Sequence, residues 1–338
     1  MTALVCVTGV SGFVGSAIAR ELLEHGYQVR GTARSPKAAL QHLRSLPGVE
    51  RLELVAADLD EAGSFDPATA GCDYVIHSAS PYVLTVNDPQ QDLVDPAVQG
   101  TLSVLASARS AGTVKRVVVT SSFAAVTDEP QGTFDETNWN EASSLTRNPY
   151  YFSKVAAERA AWDFVAGQPG FDLVVINPSL VIGPSLVPAV NVSNRLLADL
   201  TTNRYPGILD LSYGLVDIRD TATAHRRALE VPSARGRYLC TADVWTMRQI
   251  VDHAKGSDLG LRRLPSLSLD NGLGRVLVRL ASTFQRSGNR DYLRTNLGRR
   301  FKVDTTRIRT DLGMKFRPVG ESILDTYRDL RRWGHIKA

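Results

Sequence analysis

Short runs of β-branched and aliphatic residues alternate with longer amphipathic stretches over the first 180 positions. The runs Leu4–Thr8, Gln28–Thr32, Leu52–Ala56, Tyr74–His77, Val117–Thr120 and Leu173–Asn177 predict strands. The periodic stretches Val14–Glu24, Pro36–Ser45, Pro89–Ala111 and Tyr150–Val165 predict helices. Strand, helix and strand in repetition predict a parallel sheet with helices on both faces, a doubly wound α/β fold.

After Pro178 the pattern loosens. Ile182-Gly183-Pro184 opens a loop, a short helix is predicted near Val192–Leu200, and Tyr205-Pro206-Gly207 and Ser212-Tyr213-Gly214 read as turns. This predicts a smaller C-terminal lobe over the carboxyl ends of the strands, where open α/β sheets bind ligands. The expected division gives residues 1–181, with 215–240 returning, to a nucleotide-binding domain. Residues 182–214 and 241–338 form the substrate lobe.

Composition narrows the class. The 338 residues are 43% hydrophobic and 22% charged, close to globular averages. No apolar run approaches the ~20 residues of a spanning helix. The first residues read as a buried strand entering a glycine turn, not as a signal peptide. Cys6, Cys72 and Cys240 are few and widely spaced, so neither a disulfide framework nor a zinc site is expected and a cytoplasmic location is. The net charge of +4 hides an asymmetry: residues 261–338 carry 18 Lys/Arg against 7 Asp/Glu. Leu273, Val276, Leu277 and Leu280 interleave those arginines at helical spacing, which predicts folded amphipathic structure instead of a basic arm. Neither nucleic acid nor membrane is an expected partner; a monomer or homodimer is.

Three patterns carry chemistry. Thr8-Gly9-Val10-Ser11-Gly12-Phe13-Val14-Gly15 follows the first strand and opens the first helix. Glycines there permit a tight turn, close approach of backbone amides to a pyrophosphate, and close helix–strand packing, as in a Rossmann dinucleotide site. The spacing is Gly-x-x-Gly-x-x-Gly, not the commoner Gly-x-Gly-x-x-Gly. Next, no Asp or Glu occurs between Glu24 and Glu50, where NAD enzymes place an acid on the ribose 2′-hydroxyl. Arg30, Arg34 and Lys37 stand there, and Arg34 is placed to grip a 2′-phosphate, which predicts NADPH. Asp58-Leu59, after the third strand, reads equally as an adenine contact or a turn.

The third pattern is Tyr150-Tyr151-Phe152-Ser153-Lys154, with Tyr150 and Lys154 at i and i+4 on one helix face. A phenol of pKa about 10 becomes a usable proton donor beside an ammonium. Upstream, Val117–Thr120 ends in Thr120-Ser121-Ser122, and a serine there can hydrogen-bond the same substrate oxygen. Phe123, Tyr82, Tyr151, Tyr205 and Tyr213 are candidates for an aromatic pocket. The six histidines lack metal-ligand spacing; no metal is expected, His225 reads as structural, and His77 reads as lying near the coenzyme without chemistry of its own.

Together these segments resemble the extended short-chain dehydrogenase/reductases, and among them the dihydroflavonol reductase, cinnamoyl-CoA reductase and yeast-type aldehyde/methylglyoxal reductase group. The resemblance also rests on Val29-Arg30-Gly31-Thr32-Ala33-Arg34, His77-Ser78-Ala79-Ser80-Pro81, Asn177-Pro178-Ser179-Leu180-Val181-Ile182-Gly183-Pro184 and Leu312-Gly313-Met314-Lys315-Phe316-Arg317-Pro318. It implies an NADPH-dependent carbonyl reductase with Ser122, rather than Ser121, as the catalytic serine, Tyr150 as the acid and Lys154 holding the nicotinamide ribose. It implies coenzyme contacts from Gly9, Ser11, Gly12, Phe13, Val14 and Gly15, from Arg34 with Lys37 beside it, from Asp58 and Leu59, from Ala79 and Ser80, and from Pro178, Ser179 and Val181. A sugar-nucleotide epimerase or dehydratase, or a 3β-hydroxysteroid dehydrogenase, would use the same constellation. Two departures weigh against the plant substrates. Thr127 stands where dihydroflavonol reductases carry an asparagine, and Arg147-Asn148-Pro149-Tyr150-Tyr151-Phe152 replaces the cinnamoyl-CoA reductase signature.

Overall fold

The computed structural model describes residues 2–80, 87–129, 131–167, 170–283, 293 and 295–337. The chain begins β1 (Leu4–Thr8), α1 (Phe13–Glu24), β2 (Gln28–Ala33), α2 (Pro36–Leu43), β3 (Leu52–Ala56), α3 (Asp66–Thr69) and β4 (Tyr74–His77). It continues α4 (Asp95–Ala111), β5 (Arg116–Thr120), β6 (Gly132–Phe134), α5 (Pro149–Ala166), β7 (Asp172–Pro178), β8 (Leu180–Ile182), α6 (Val192–Leu200), β9 (Ile208–Leu209) and β10 (Ser212–Asp217). The remainder is α7 (Ile218–Glu230), β11 (Gly236–Cys240), β12 (Asp243–Thr246), α8 (Met247–Lys255), β13 (Ser268–Leu269), α9 (Gly272–Ser282), β14 (Phe301–Val303), α10 (Thr306–Asp311) and α11 (Val319–Arg332).

Seven strands form one sheet in the order β11-β7-β5-β4-β1-β2-β3, and every neighbouring pair is parallel. The central strands β1, β4, β5 and β7 are largely buried on both faces because helices cover both. On one face Val7, Ile18, Leu22, Val118 and Ile176 pack with α1 and α7. On the other, Val75, Leu105, Val117 and Ala161 pack with α4 and α5. Strand order reverses between β1 and β4, so a crevice opens at their carboxyl ends.

Three local readings change. The predicted helix from Pro89 begins as a wider π turn over Gln90–Val94 before α4 proper. Pro96 has no N–H to give to an i−4 carbonyl, which accounts for the disturbed ladder there. Ser212-Tyr213-Gly214 is not a turn but the start of β10, which pairs parallel with β8 and antiparallel with β12. The glycine is needed because a Cβ on Gly214 would lie 2.7 Å from Ser179 Oγ. In α9 the residues facing inward are the small Gly274, Val278 and Ser282, while Leu273, Val276, Leu277 and Leu280 face solvent. The inward approach is close: a Cβ on Gly274 would meet the Leu269 backbone at 2.5 Å.

The lobe has its own core of Ile182, Leu197, Leu215, Ile250, Ile323 and Tyr327. β10 spans both cores, with Leu215 in the lobe and Val216 under the main sheet. The tail crosses back too: β14 pairs with β6, and Ile308, Leu312 and Met314 pack beneath the main sheet.

Candidate active site

At the crevice, Thr8 joins the two strands that part there. Its Oγ1 accepts from the amides of Ser78 (3.1 Å) and Ala79 (3.0 Å), and its carbonyl accepts from Ser78 Oγ at 2.6 Å. Thr8 Oγ1 also lies 2.9 Å from His77 Nδ1. Thr101 Oγ1 gives its proton to the Ala97 carbonyl and so receives one from His77 Nε2. His77 Nδ1 is therefore the acceptor, and burial with the nearby Lys154 lowers the imidazole pKa to about 3. His77 is a neutral structural post.

The glycine turn then leaves β1 with Gly9 at φ +71°. A Cβ on Gly9 would sit 3.0 Å from Ala79 Cα, and one on Gly15 only 2.3 Å from the Gly9 carbonyl. Gly12, at the N-cap of α1, provides no side-chain oxygen, and the first turn of α1 holds no acid. The uncapped amides and the helix dipole are left for an external anion.

Within β2, Arg30 is engaged. Its Nε donates to Glu53 at 2.7 Å and its Nη1 to the Ala70 carbonyl at 2.7 Å. Arg34, just past β2, and Lys37, in the first turn of α2, are exposed. Asp58 closes its own turn, accepting from the Asp60 amide, while its carbonyl accepts from Ser64 Oγ. Leu59 packs against Gly100.

The end of β5 presents three consecutive hydroxyls with three different partners. Thr120 Oγ1 lies 2.7 Å from His225 Nε2; His225 Nδ1 donates to the Thr221 carbonyl, so Nε2 accepts. Burial holds that imidazole down at about 4, so it stays neutral and structural. Ser121 Oγ donates to the buried carboxylate of Glu158 at 2.5 Å. Ser122 Oγ accepts from the Ala124 amide at 3.1 Å and lines the cleft, with its own proton uncommitted by that bond.

Helix α5 delivers Tyr150 and Lys154. Its entry is set by Asn148 in the left-handed region at φ +50°, followed by Pro149 in the first turn. Asn148 Nδ2 and Arg147 Nε both donate to Asp128, at 2.7 and 2.9 Å, anchoring the loop that precedes Tyr150. Lys154 Nζ lies 5.6 Å from the centroid of the Tyr150 ring and donates to Ser80 Oγ at 2.8 Å. Burial lowers the lysine pKa to about 8.

These groups share one cleft of about 990 Å³. Gly9, Ser11, Gly12, Phe13, Val14, Gly15, Ser80, Ser122, Tyr150, Lys154, Pro178, Ser179 and Val181 all line it. Arg34, Lys37, Asp58, Leu59 and Ala79 are not among its lining residues.

The NAD dependent epimerase/dehydratase family model matches residues 5–239, the whole seven-stranded sheet and the cleft's central groups. The chain belongs to that family. Cinnamoyl-CoA reductase 1 of Arabidopsis thaliana is 36% identical over 340 residues, covering 98% of this chain and 90% of the relative. The bifunctional dihydroflavonol 4-reductase/flavanone 4-reductase of Malus domestica is 38% identical over 259 residues, 73% of this chain and 74% of the relative. Among solved structures, the yeast methylglyoxal/isovaleraldehyde reductase complexed with NADPH matches with TM-score 0.81 at 28% identity, covering 98% of this chain and 100% of that one. The extended short-chain dehydrogenase/reductase fold is thereby shown.

Relative to this family pattern, sequence reasoning overlooked the lobe side of the cleft. Val187, Ala189, Val190, Asn191, Val192 and Ser193 line it from the segment leading into α6, and Asn296 and Phe301 from the tail. No local signal marks them, because they converge only when the lobe folds over the sheet. Phe301 stacks on Phe123 with centroids 5.7 Å apart. Of the predicted aromatic wall, Phe123, Tyr151 and Tyr213 line the cleft and Tyr205 packs against the lobe core. Pro81 and Tyr82 lie outside the described residues.

Proposed function

We propose that this protein is an NADPH-dependent carbonyl reductase, converting an aldehyde or ketone into the alcohol. The observation that carries the reading is the placement of Ser122, Tyr150 and Lys154 in the same cleft as the uncapped glycine turn. The turn fits a dinucleotide: its glycines leave a cradle that side chains would fill, and the α1 amides are free for a pyrophosphate. In this reading Gly9 to Gly15 hold the diphosphate, Ser80 and Lys154 the ribose side, Pro178 to Val181 the nicotinamide side, and Arg34 with Lys37 the 2′-phosphate. Asp58, Leu59 and Ala79 frame the adenosine half.

When bound, NADPH supplies the hydride. The protein supplies the proton and the geometry. Tyr150 Oη donates a proton to the substrate oxygen as negative charge develops on it. Ser122 Oγ donates a hydrogen bond to the same oxygen, strengthening as that charge grows. The Lys154 ammonium stabilises the phenolate left behind, lowering the cost of the transfer.

The aromatic and aliphatic lobe wall supports a carbonyl substrate with an uncharged apolar body. Lys154 is the only cation among the described residues lining the cleft, so no cluster is on hand for a coenzyme A diphosphate. An epimerase or dehydratase reading, which the family name admits, is disfavoured by the acid-free β2 end and by the reductase relatives. We assign the protein to the cytoplasm on its three buried free cysteines, and treat 182–214 with most of 241–338 as its substrate lobe.

The test is oxidation of NADPH and of NADH against a panel of aliphatic and aromatic aldehydes and ketones. Turnover with NADPH supports the reading; a preference for NADH, or no turnover of any carbonyl, overturns it. Light scattering at assay concentration distinguishes monomer from homodimer.

A further inference from the structure

Beneath the cleft lies a polar cluster that the reaction itself does not use. Helix α5 places Tyr150, Lys154 and Glu158 at successive i+4 positions, one above another on a single face. The first two reach the cleft; the third turns under it. Glu158 Oε2 accepts from Ser121 Oγ at 2.5 Å and from Asn177 Nδ2 at 2.7 Å. The same Asn177 Nδ2 lies 3.2 Å from the carbonyl oxygen of Ser122. Glu158 Oε1 accepts from Arg237 Nε at 2.6 Å, in a pair whose side chains are 0% and 6% exposed.

Arg237 is fixed in turn. Its Nη1 donates to the Asn138 carbonyl at 2.6 Å, and its guanidinium lies 3.9 Å from the centroid of Trp139. One carboxylate therefore ties the helix carrying Tyr150 to the end of β5 carrying Ser122, to β7 through Asn177 and to β11 through Arg237. A buried ion pair is weak evidence for stability, since apolar residues of similar volume often serve as well. What apolar residues cannot do is fix a helix to two strand ends by directional bonds.

We propose that Glu158 is a positioning residue for the reductase chemistry: held by Arg237, it sets the distance between the Tyr150 phenol and the Ser122 hydroxyl. The inference rests on the roles given to Tyr150 and Ser122 above. Misplacement of reacting groups by about 1 Å costs on the order of a hundredfold in rate.

Two variants test it, each compared per folded molecule by thermal melting and by NADPH titration. Glu158→Gln is expected to lose about a hundredfold in kcat, with NADPH Kd and carbonyl KM changed by less than about threefold. Ser121→Ala removes one bond to the carboxylate without stranding a charge, and a milder loss of about tenfold in kcat is expected. Should Glu158→Gln fail to fold, Ser121→Ala decides. A wild-type kcat per folded molecule in Ser121→Ala, or in a folded Glu158→Gln, overturns the positioning role, leaving a pair that only holds the core together. Failure of the underlying reading is distinguishable: the wild type would then turn over no carbonyl, or Tyr150→Phe would be fully active.

Discussion

Lys154 Nζ donates to Ser80 Oγ at 2.8 Å, tying the helix that presents Tyr150 to the segment leaving β4. That ammonium is buried, and the cost of burying its charge gives a pH signature. The folded pKa of about 8 lies below the ordinary lysine value of 10.5. Between those values the unfolded chain binds more protons than the folded one, so stability rises with pH across that window. Relative to Lys154→Met, the wild type is expected to gain on the order of 3 kcal/mol from pH 8 to pH 10.5. Urea denaturation of both proteins at pH 7, 8, 9 and 10 measures this; a difference that does not change with pH would contradict it.

Tyr150→Phe removes only the phenolic proton. Turnover is expected to fall by ~10²–10⁴-fold while NADPH affinity is nearly unchanged. Tyr151→Phe keeps the ring that meets Tyr150 edge-on at 6.1 Å and is expected to be mild. Steady-state kinetics with coenzyme titration separates the two, and a fully active Tyr150→Phe removes the assignment.

Ser122→Ala is expected to lower kcat by about 10²-fold, the size of one oxyanion donor, and to act more strongly than Ser121→Ala. Both serines line the cleft, but Ser121 already gives its proton to Glu158, whereas Ser122 Oγ only accepts, from the Ala124 amide. If the order of damage is reversed, Ser121 is the group that meets the substrate.

Arg34→Ala tests the coenzyme. A charge-assisted contact to a 2′-phosphate contributes about 1.5–3 kcal/mol, so the NADPH KM is expected to rise roughly ten- to hundredfold while NADH is indifferent. Arg30→Ala is the control, because Arg30 is spent on Glu53 and the Ala70 carbonyl. It is expected to lower the melting temperature and leave the coenzyme ratio alone. An unchanged ratio in Arg34→Ala would mean that the phosphate is read elsewhere.

Gly15→Ala puts a Cβ at 2.3 Å from the Gly9 carbonyl, so the turn must open. Overpacking of this kind costs ~1–3 kcal/mol, and NADPH binding is expected to weaken by about tenfold or more. Gly272→Ala, where a Cβ meets nothing within 4 Å, is expected to bind NADPH normally. Fluorescence titration of the two variants checks the contrast.

The parts of this protein that are legible in the sequence are those determined locally or by short spacing. The glycine turn, the two sides of each central strand and the Tyr150–Lys154 pair all follow from neighbours within a few residues. The three hydroxyls ending β5 are visible as a string and all line the cleft, but which of their protons are already committed depends on Glu158 and His225, 37 and 105 residues away from their partners. β10 hides behind a Ser-Tyr-Gly string that has turn composition. It is a strand only because β8 and β12 supply partners. In α9 the apolar stripe is real, but its direction is not encoded by periodicity. Gly274 brings the other face against Leu269, and the stripe is left outside.

The crossing of the tail beneath the main sheet bears on how the molecule is made. Ile308, Leu312 and Met314 join the core cluster to which α1 and α7 contribute, and the Leu312 carbonyl accepts from Arg227 Nε at 2.9 Å. Farther on, the Arg317 amide donates to Asp220 at 2.7 Å. A nascent chain that has reached residue 300 thus contains every strand of the seven-stranded sheet but not the side chains that close one of its faces. Such a chain would lack Ile308, Leu312 and Met314 from the core cluster that Val216 and Ala224 share with them. Truncation between β11 and Ile308 is therefore expected to destabilise the seven-stranded sheet although each of its strands would be present.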